Sequence, residues 1–145
     1  MQQDTMDLSL TVERRINAPV EKVFAAWLEP ATLHRFMSNG TGFSLTAAET
    51  DPRIGGRFRL DMHIGGKDYQ HSGTYLDLTP HSRIAFTWES ASSTVEGSTV
   101  TLDLVPDGAA TKLTLTHVRF VNEATRDGHT GAWTTIMDGL VATRL

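Results

Sequence analysis

Between Gly42 and His117 apolar side chains return at every second position, in one run after another, with short turn signals between the runs. A period of two puts alternate residues on opposite faces of a strand, so this pattern commits the middle of the chain to a sheet. Phe58, Leu60, Met62 and Ile64 alternate with Arg57, Arg59, Asp61 and His63. Gly65-Gly66-Lys67-Asp68 then fits a tight hairpin turn, and Tyr69 to Leu78 fits the return strand. Thr79-Pro80-His81-Ser82 turns the chain into Ile84, Phe86 and Trp88, and the polar stretch from Ser90 to Ser98 reads as a loop into Val100, Leu102 and Leu104. Pro106-Asp107-Gly108 makes another turn, after which Leu113, Leu115 and His117 share one parity. Two further alternating runs, Leu8–Arg14 and Gly42–Ala47, precede these. Strands joined by short turns pair antiparallel, and their apolar face needs a cover.

The ends of the chain supply that cover. Pro19 suits the first turn of a helix, with Asn17 or Ala18 as cap, and Val20, Val23, Phe24 and Trp27 follow the spacing of a buried helical face. Pro30 opens a second short helix with Leu33, Phe36 and Met37 on its apolar side. Arg126 to Leu140 forms the last helix, capped at Asp127 or Thr130 and regular from about residue 129. There His129, Trp133, Ile136, Met137 and Leu140 make one stripe. A glycine inside a helix costs roughly 0.5–1 kcal/mol against alanine. Gly131 therefore implies close approach of a strand or ligand, or a place near the helix start, and Gly139 implies packing. The order is strand, two helices, further hairpin-linked strands and a long final helix: an α+β roll.

At 145 residues the chain is expected to form one domain over 8–145, with residues 1–7 frayed. It has no cysteine, which excludes disulfides, thiolate metal sites and cysteine nucleophiles. A net charge of -4, with scattered arginines, gives no basic stripe for nucleic acid. No apolar run approaches the ~20 residues of a membrane span, and MQQDTMDLSL has neither the basic start nor the apolar core of a signal peptide. A cytoplasmic protein, bound neither to membrane nor to nucleic acid, is expected.

Five stretches in this order carry a resemblance: APVEKVFAAWLEPATLHRF, GGRFRLDM, HSGTYLDLTPHSRIAFTWE, TKLTLTH and RDGHTGAWTTIMDGL. Together they resemble the START-like, or SRPBCC, superfamily, and within it the single-domain bacterial type of the activator of heat shock protein 90 ATPase homologue family. The resemblance implies a helix-grip fold, in which a curved antiparallel sheet of about six or seven strands wraps a long C-terminal helix, with two short helices after the first strand. It also implies a cavity between sheet and helix for small apolar or amphipathic ligands. Two departures stand out. Family members often carry a tryptophan pair after the second helix, where this chain has Phe36-Met37. The eukaryotic co-chaperones carry a separate chaperone-binding domain that this chain has no room for.

Candidate pocket residues are Trp27, Phe36, Phe58, Met62, Tyr75, Trp88, His117, His129 and Trp133. His117 shares the parity of Leu113 and Leu115, so it faces inward either as a satisfied core group or as a ligand contact or general base. Trp133 is either a core anchor or, with His129, part of a cavity rim. Tyr69, His71, Gly73 and Tyr75 occupy one side of their strand, Thr74, Leu76 and Leu78 the other, and the pattern does not say which side is inward. The resemblance favours Tyr75 near the pocket. The histidines lack metal-ligand spacing, there is no GxSxG, and no cofactor and no catalytic residue are assigned. Binding of a small apolar molecule is the expected function. A cyclase-like enzyme using a pocket histidine and a chaperone-associated protein are the alternatives. Candidate partners are the small molecule, a second copy of the chain and a chaperone.

Overall fold

The computed structural model describes residues 8–40, 42–90 and 94–145. The expected frayed segment 1–7, and Ser92 and Ser93 of the expected loop, lie outside the described residues. In chain order the elements are β1 (Ser9–Ile16), α1 (Val20–Ala26), α2 (Pro30–Met37), β2 (Ser44–Thr50), β3 (Arg57–Ile64), β4 (Lys67–Thr79), β5 (Arg83–Thr87), β6 (Glu89–Ser90), β7 (Thr94–Asp107), β8 (Ala110–Phe120) and α3 (Glu123–Val141). The strands form one open sheet in the order β1-β8-β7-β5-β4-β3-β2, with the two-residue β6 pairing β4. Every pairing is antiparallel. This is a helix-grip α+β fold.

The sheet has one strand more than the upper expected count, because the β5 run breaks at Trp88. β5 pairs Tyr75–Thr79 of β4, and β6 resumes opposite His71 and Ser72. The break is still tied to its other neighbour, since the Trp88 amide donates to the Ser98 carbonyl at 2.9 Å. The polar stretch expected as loop is also corrected. β7 begins at Thr94, and the register shift between Thr94 and Thr99 absorbs the irregularity, with Gly97 at φ 83°. Gly65 and Gly66, at φ 57° and 82°, make the β3–β4 hairpin turn.

The inward side of β4 is the Gly73–Tyr75 side. Tyr75 is buried whereas Leu76 is 48% exposed. Only glycine fits at 73, because a Cβ there would lie 2.0 Å from the Thr87 carbonyl oxygen and 2.5 Å from Phe58 Cε1.

The helix starts differ from expectation. Pro19 is itself the cap of α1, in extended geometry (φ -68°, ψ 159°) and with no side-chain cap bond. Its carbonyl receives the amides of Lys22 and Val23, so neither Asn17 nor Ala18 caps the helix. α3 begins at Glu123, earlier than expected, because the Asn122 carboxamide oxygen accepts from the Thr125 amide at 2.8 Å and from its hydroxyl at 2.9 Å. Neither Asp127 nor Thr130 is the cap. Gly131 consequently sits well inside the helix, and nothing lies within 4 Å of a Cβ built there. It faces solvent, so it answers to no close approach. Trp133, Ile136, Met137, Gly139 and Leu140 form the buried face of α3. They close over a core that includes Leu10, Val12, Ile84, Phe86, Leu102, Leu113 and Leu115 from the strands and Leu33, Phe36 and Met37 from α2. An Arg14–Asp138 ion pair at 2.8 Å fastens α3 to β1.

Candidate functional site

The early start of α3 puts Thr125, Gly128 and His129 on the helix, where they face Met62 and Ile64 of β3 and Tyr69 and His71 of β4 across a gap. Between them opens a cleft of about 430 Å³, lined by Phe43, Met62, Ile64, Tyr69, His71 and Trp88 from the sheet side. Thr125, Gly128, His129, Ala132, Trp133 and Ile136 line it from the helix. The volume lies within the ~300–1,000 Å³ usual for small-molecule sites. No Asp, Glu, Lys or Arg is among these residues.

Behind the cleft lies a second void of about 20 Å³, bordered by Trp27, Thr50, Phe58, Tyr75, Trp88 and Trp133 among others. It is large enough for a single water. Trp88 and Trp133 border both spaces, with ring centroids 5.0 Å apart at 55°, so this tryptophan pair is the partition between them.

The candidate residues divide accordingly. Met62, Trp88, His129 and Trp133 meet at the cleft. Trp27, Phe58 and Tyr75 face the small void instead. Burial pushes the Tyr75 hydroxyl up to about 12, reinforced by the carboxylate of Asp51, so it stays protonated. Phe36 borders neither space. The apolar stripe of α2 is turned into the core, where Phe36 is fully buried edge-on to Trp27 at 4.9 Å.

His117 borders neither space as well, and its surroundings explain it. The Trp133 indole donates to His117 Nδ1 at 3.1 Å. An indole nitrogen only donates, so Nδ1 is the acceptor, the ring proton sits on Nε2, and Nε2 donates to Ser98 Oγ at 2.8 Å. Both nitrogens are occupied and the residue is fully buried. Burial, with smaller contributions from His129 and His71, lowers its pKa to about 3. A second ring proton would point at the Trp133 N–H. His117 is thus a neutral strut that holds the partition in place.

His129 is arranged differently. Its Nδ1 lies 2.9 Å from the Thr125 carbonyl one turn earlier, so Nδ1 donates and the neutral ring keeps a lone pair on Nε2. Its ring stands edge-on to His117, centroids 5.3 Å apart. On the opposite wall His71 stacks on Trp88 at 4.7 Å and 22°. Burial, followed by the neighbouring His129, lowers the His71 pKa to about 4. Two polar atoms of this pair, His71 Nδ1 and Trp88 Nε1, are buried without a partner among the described residues.

Sequence reasoning left out Phe43, Ile64, Tyr69, His71, Thr125, Gly128, Ala132 and Ile136 as pocket residues. Two signals pointed to several of them. Tyr69 and His71 share the parity of Tyr75, and Thr125 lies one helical turn before His129, but the helix was expected to start too late to count it. Among the described residues no three of His, Asp and Glu gather as metal ligands. No helix among them is long and apolar enough to cross a membrane.

Residues 17–144 match the sequence pattern of the family described as activator of Hsp90 ATPase homolog 1-like protein. No curated protein matches the chain. Solved structures do. An AHSA1-like protein from Aeromonas hydrophila superposes with a TM-score of 0.77 at 20% identity, over 93% of this chain and 90% of that one. The protein Ms6760 from Mycobacterium smegmatis gives 0.78 at 17% identity, over 97% and 93%. CalU16 from Micromonospora echinospora gives 0.69 at 26% identity, over 91% of this chain and 73% of that one.

Proposed function

Because the chain belongs to the family of activator of Hsp90 ATPase homolog 1-like proteins, a ligand-binding fold in general, we propose that it binds a small apolar or amphipathic molecule in the cleft between α3 and the sheet. The single observation that carries this reading is the cleft itself: about 430 Å³, walled by aromatic and aliphatic side chains, with a few polar groups set among them. The void behind the tryptophan pair, about 20 Å³, is too small for such a ligand, which favours the outer cleft as its place. The cytoplasm is the proposed place of action.

Native mass spectrometry of freshly purified protein, followed by solvent extraction, tests the reading. A co-purified small molecule is expected, or failing that a thermal shift with members of a panel of lipids and aromatics. Protein that arrives without a ligand and shifts with none of them would end the proposal. It would move attention to the chaperone-associated role that the family's name suggests, for which a pull-down with the chaperone is the direct assay.

A second reading, an enzyme with a histidine base, has one observation in its favour. His129 lines the cleft with Nδ1 committed to the helix backbone and Nε2 left as a base. His129→Gln separates the two readings. A binding protein keeps much of its affinity, whereas a histidine-dependent enzyme loses turnover.

A further inference from the structure

The walls of the cleft narrow what it takes, on the reading that it is a binding site. Charge comes first. None of its described lining residues carries a permanent charge. The imidazole on the sheet wall is held neutral near pH 7, because burial lowers His71 to about 4. A carboxylate or phosphate set against the sheet wall would lose hydration there without gaining a permanent cation, which is costly.

Hydrogen bonding comes second. Trp88 is 4% exposed, and its Nε1 is buried without a partner among the described residues. An indole nitrogen has one proton and no acceptor capacity, so only an acceptor satisfies it. Unpaired buried donors are rare in protein interiors, and each needs an explanation. His71 Nδ1, on the ring stacked against Trp88, is likewise buried with no partner among the described residues. A neutral imidazole has a donor and an acceptor to offer, so it can adapt its tautomer to what binds. Trp27 Nε1 is a second unpartnered indole nitrogen among the described residues, but Trp27 borders only the small void, where a single water suffices.

Shape comes third. Phe43, Tyr69, His71, Trp88, His129 and Trp133 make half of the lining, so the cleft presents flat faces and ring edges. Such walls favour another ring, packed offset or edge-on.

We infer that the ligand is an uncharged, ring-bearing molecule with an acceptor oxygen, the oxygen taking the Trp88 Nε1 proton while the neutral His71 imidazole supplies the adjoining polar contact. The class is that of aromatic ketones, quinones and phenol ethers, rather than fatty acids, plain hydrocarbons or aromatic acids.

Three naphthalenes of closely similar shape test this by calorimetry at neutral pH: the acetyl compound, the ethyl compound and the carboxylate. The acetyl compound is expected to bind about tenfold tighter than the ethyl compound, the value of one hydrogen bond to an otherwise unpaired buried donor. The carboxylate is expected to bind more weakly than the acetyl compound. Trp88→Phe, which keeps a ring and loses the N–H, is expected to bring the acetyl and ethyl compounds to near parity. If that variant does not fold, the indole N–H resonance of Trp88 in the unaltered chain reads the same contact: it moves with the acetyl compound and not with the ethyl one. Equal affinity for the acetyl and ethyl compounds, tightest binding of the carboxylate, or an unmoved Trp88 resonance in the acetyl complex would each overturn the inference while leaving the cleft as a binding site. Binding of none of the three would count against the cleft reading itself, and against this inference with it.

Discussion

His117 shows how much one tautomer settles. Its Nδ1 accepts from Trp133, so its proton is on Nε2, and both bonds favour the neutral ring. Its folded pKa of about 3 lies below the 6.5 of an ordinary histidine. The unfolded chain therefore binds a proton first as pH falls. Stability from this group is whole above about 6.5 and drains away as pH falls toward 3, at up to about 1.4 kcal/mol per pH unit. His71 adds a shorter limb of the same sign, ending at about 4. Urea titrations between pH 7 and 4 should show this loss, and His117→Gln should flatten it. An unchanged slope in the variant would remove His117 from the account. Trp133→Ala should cost roughly 3–5 kcal/mol in the same assay at pH 7, because it empties the partition between two spaces. A cost below 1 kcal/mol would mean that Trp133 is not a core anchor. The inward parity of His117 was legible in Leu113, Leu115 and His117. Its task was not, since the partner that fixes it, Ser98, lay in a stretch that reads as loop.

At the scale of elements, the hairpins were legible because period-two alternation and Gly-Gly or Pro-Asp-Gly turns are local signals. The start of α3 was not. Gly128 and Gly131 dilute the helical pattern, and Asn122 is two residues from a β-strand whose own end is not marked by sequence. The Asn122 cap nevertheless meets both the amide and the hydroxyl of Thr125. Asn122→Ala should lower stability by about 1 kcal/mol. Gly131→Ala should raise it by about 0.5–1 kcal/mol, since a methyl there meets nothing within 4 Å. Both are read as shifts in the urea midpoint. A neutral Asn122→Ala would show that packing alone fixes the start of α3. The same lateness in the expected start explains why Thr125 and Gly128 were not foreseen in the cleft: residues placed before a helix cannot be counted on its face.

For the whole molecule, the fold followed from the order of elements, whereas the division of its interior did not. Parity identifies which side chains turn inward. It does not say which of them are packed solid and which stand around space, because that depends on volumes contributed by elements far apart in the chain. Trp27, Phe36 and Trp133 have the same inward signature, yet they end up at the small void, in solid core and at the partition respectively. A ligand that binds only the folded chain should raise the melting temperature with the logarithm of its concentration, by about 2.7 kcal/mol of stability at a hundred times its dissociation constant. Saturating ligand that leaves the melting point in place would show that the occupied state is no more stable than the free one, against the proposed site.

The position of the tryptophans has an optical consequence. The chain has 3 of them, and each borders the cleft, the void behind it, or both. None stands apart to give a constant background. The ultraviolet emission of the native protein is therefore a report from this one region, and a chromophoric guest in the cleft would quench it by energy transfer over a few ångströms. Trp133, bonded to an imidazole that stays uncharged until strong acid, should keep its emission steady across the neutral range. A fluorimeter and the unlabelled protein are enough to watch the site fill.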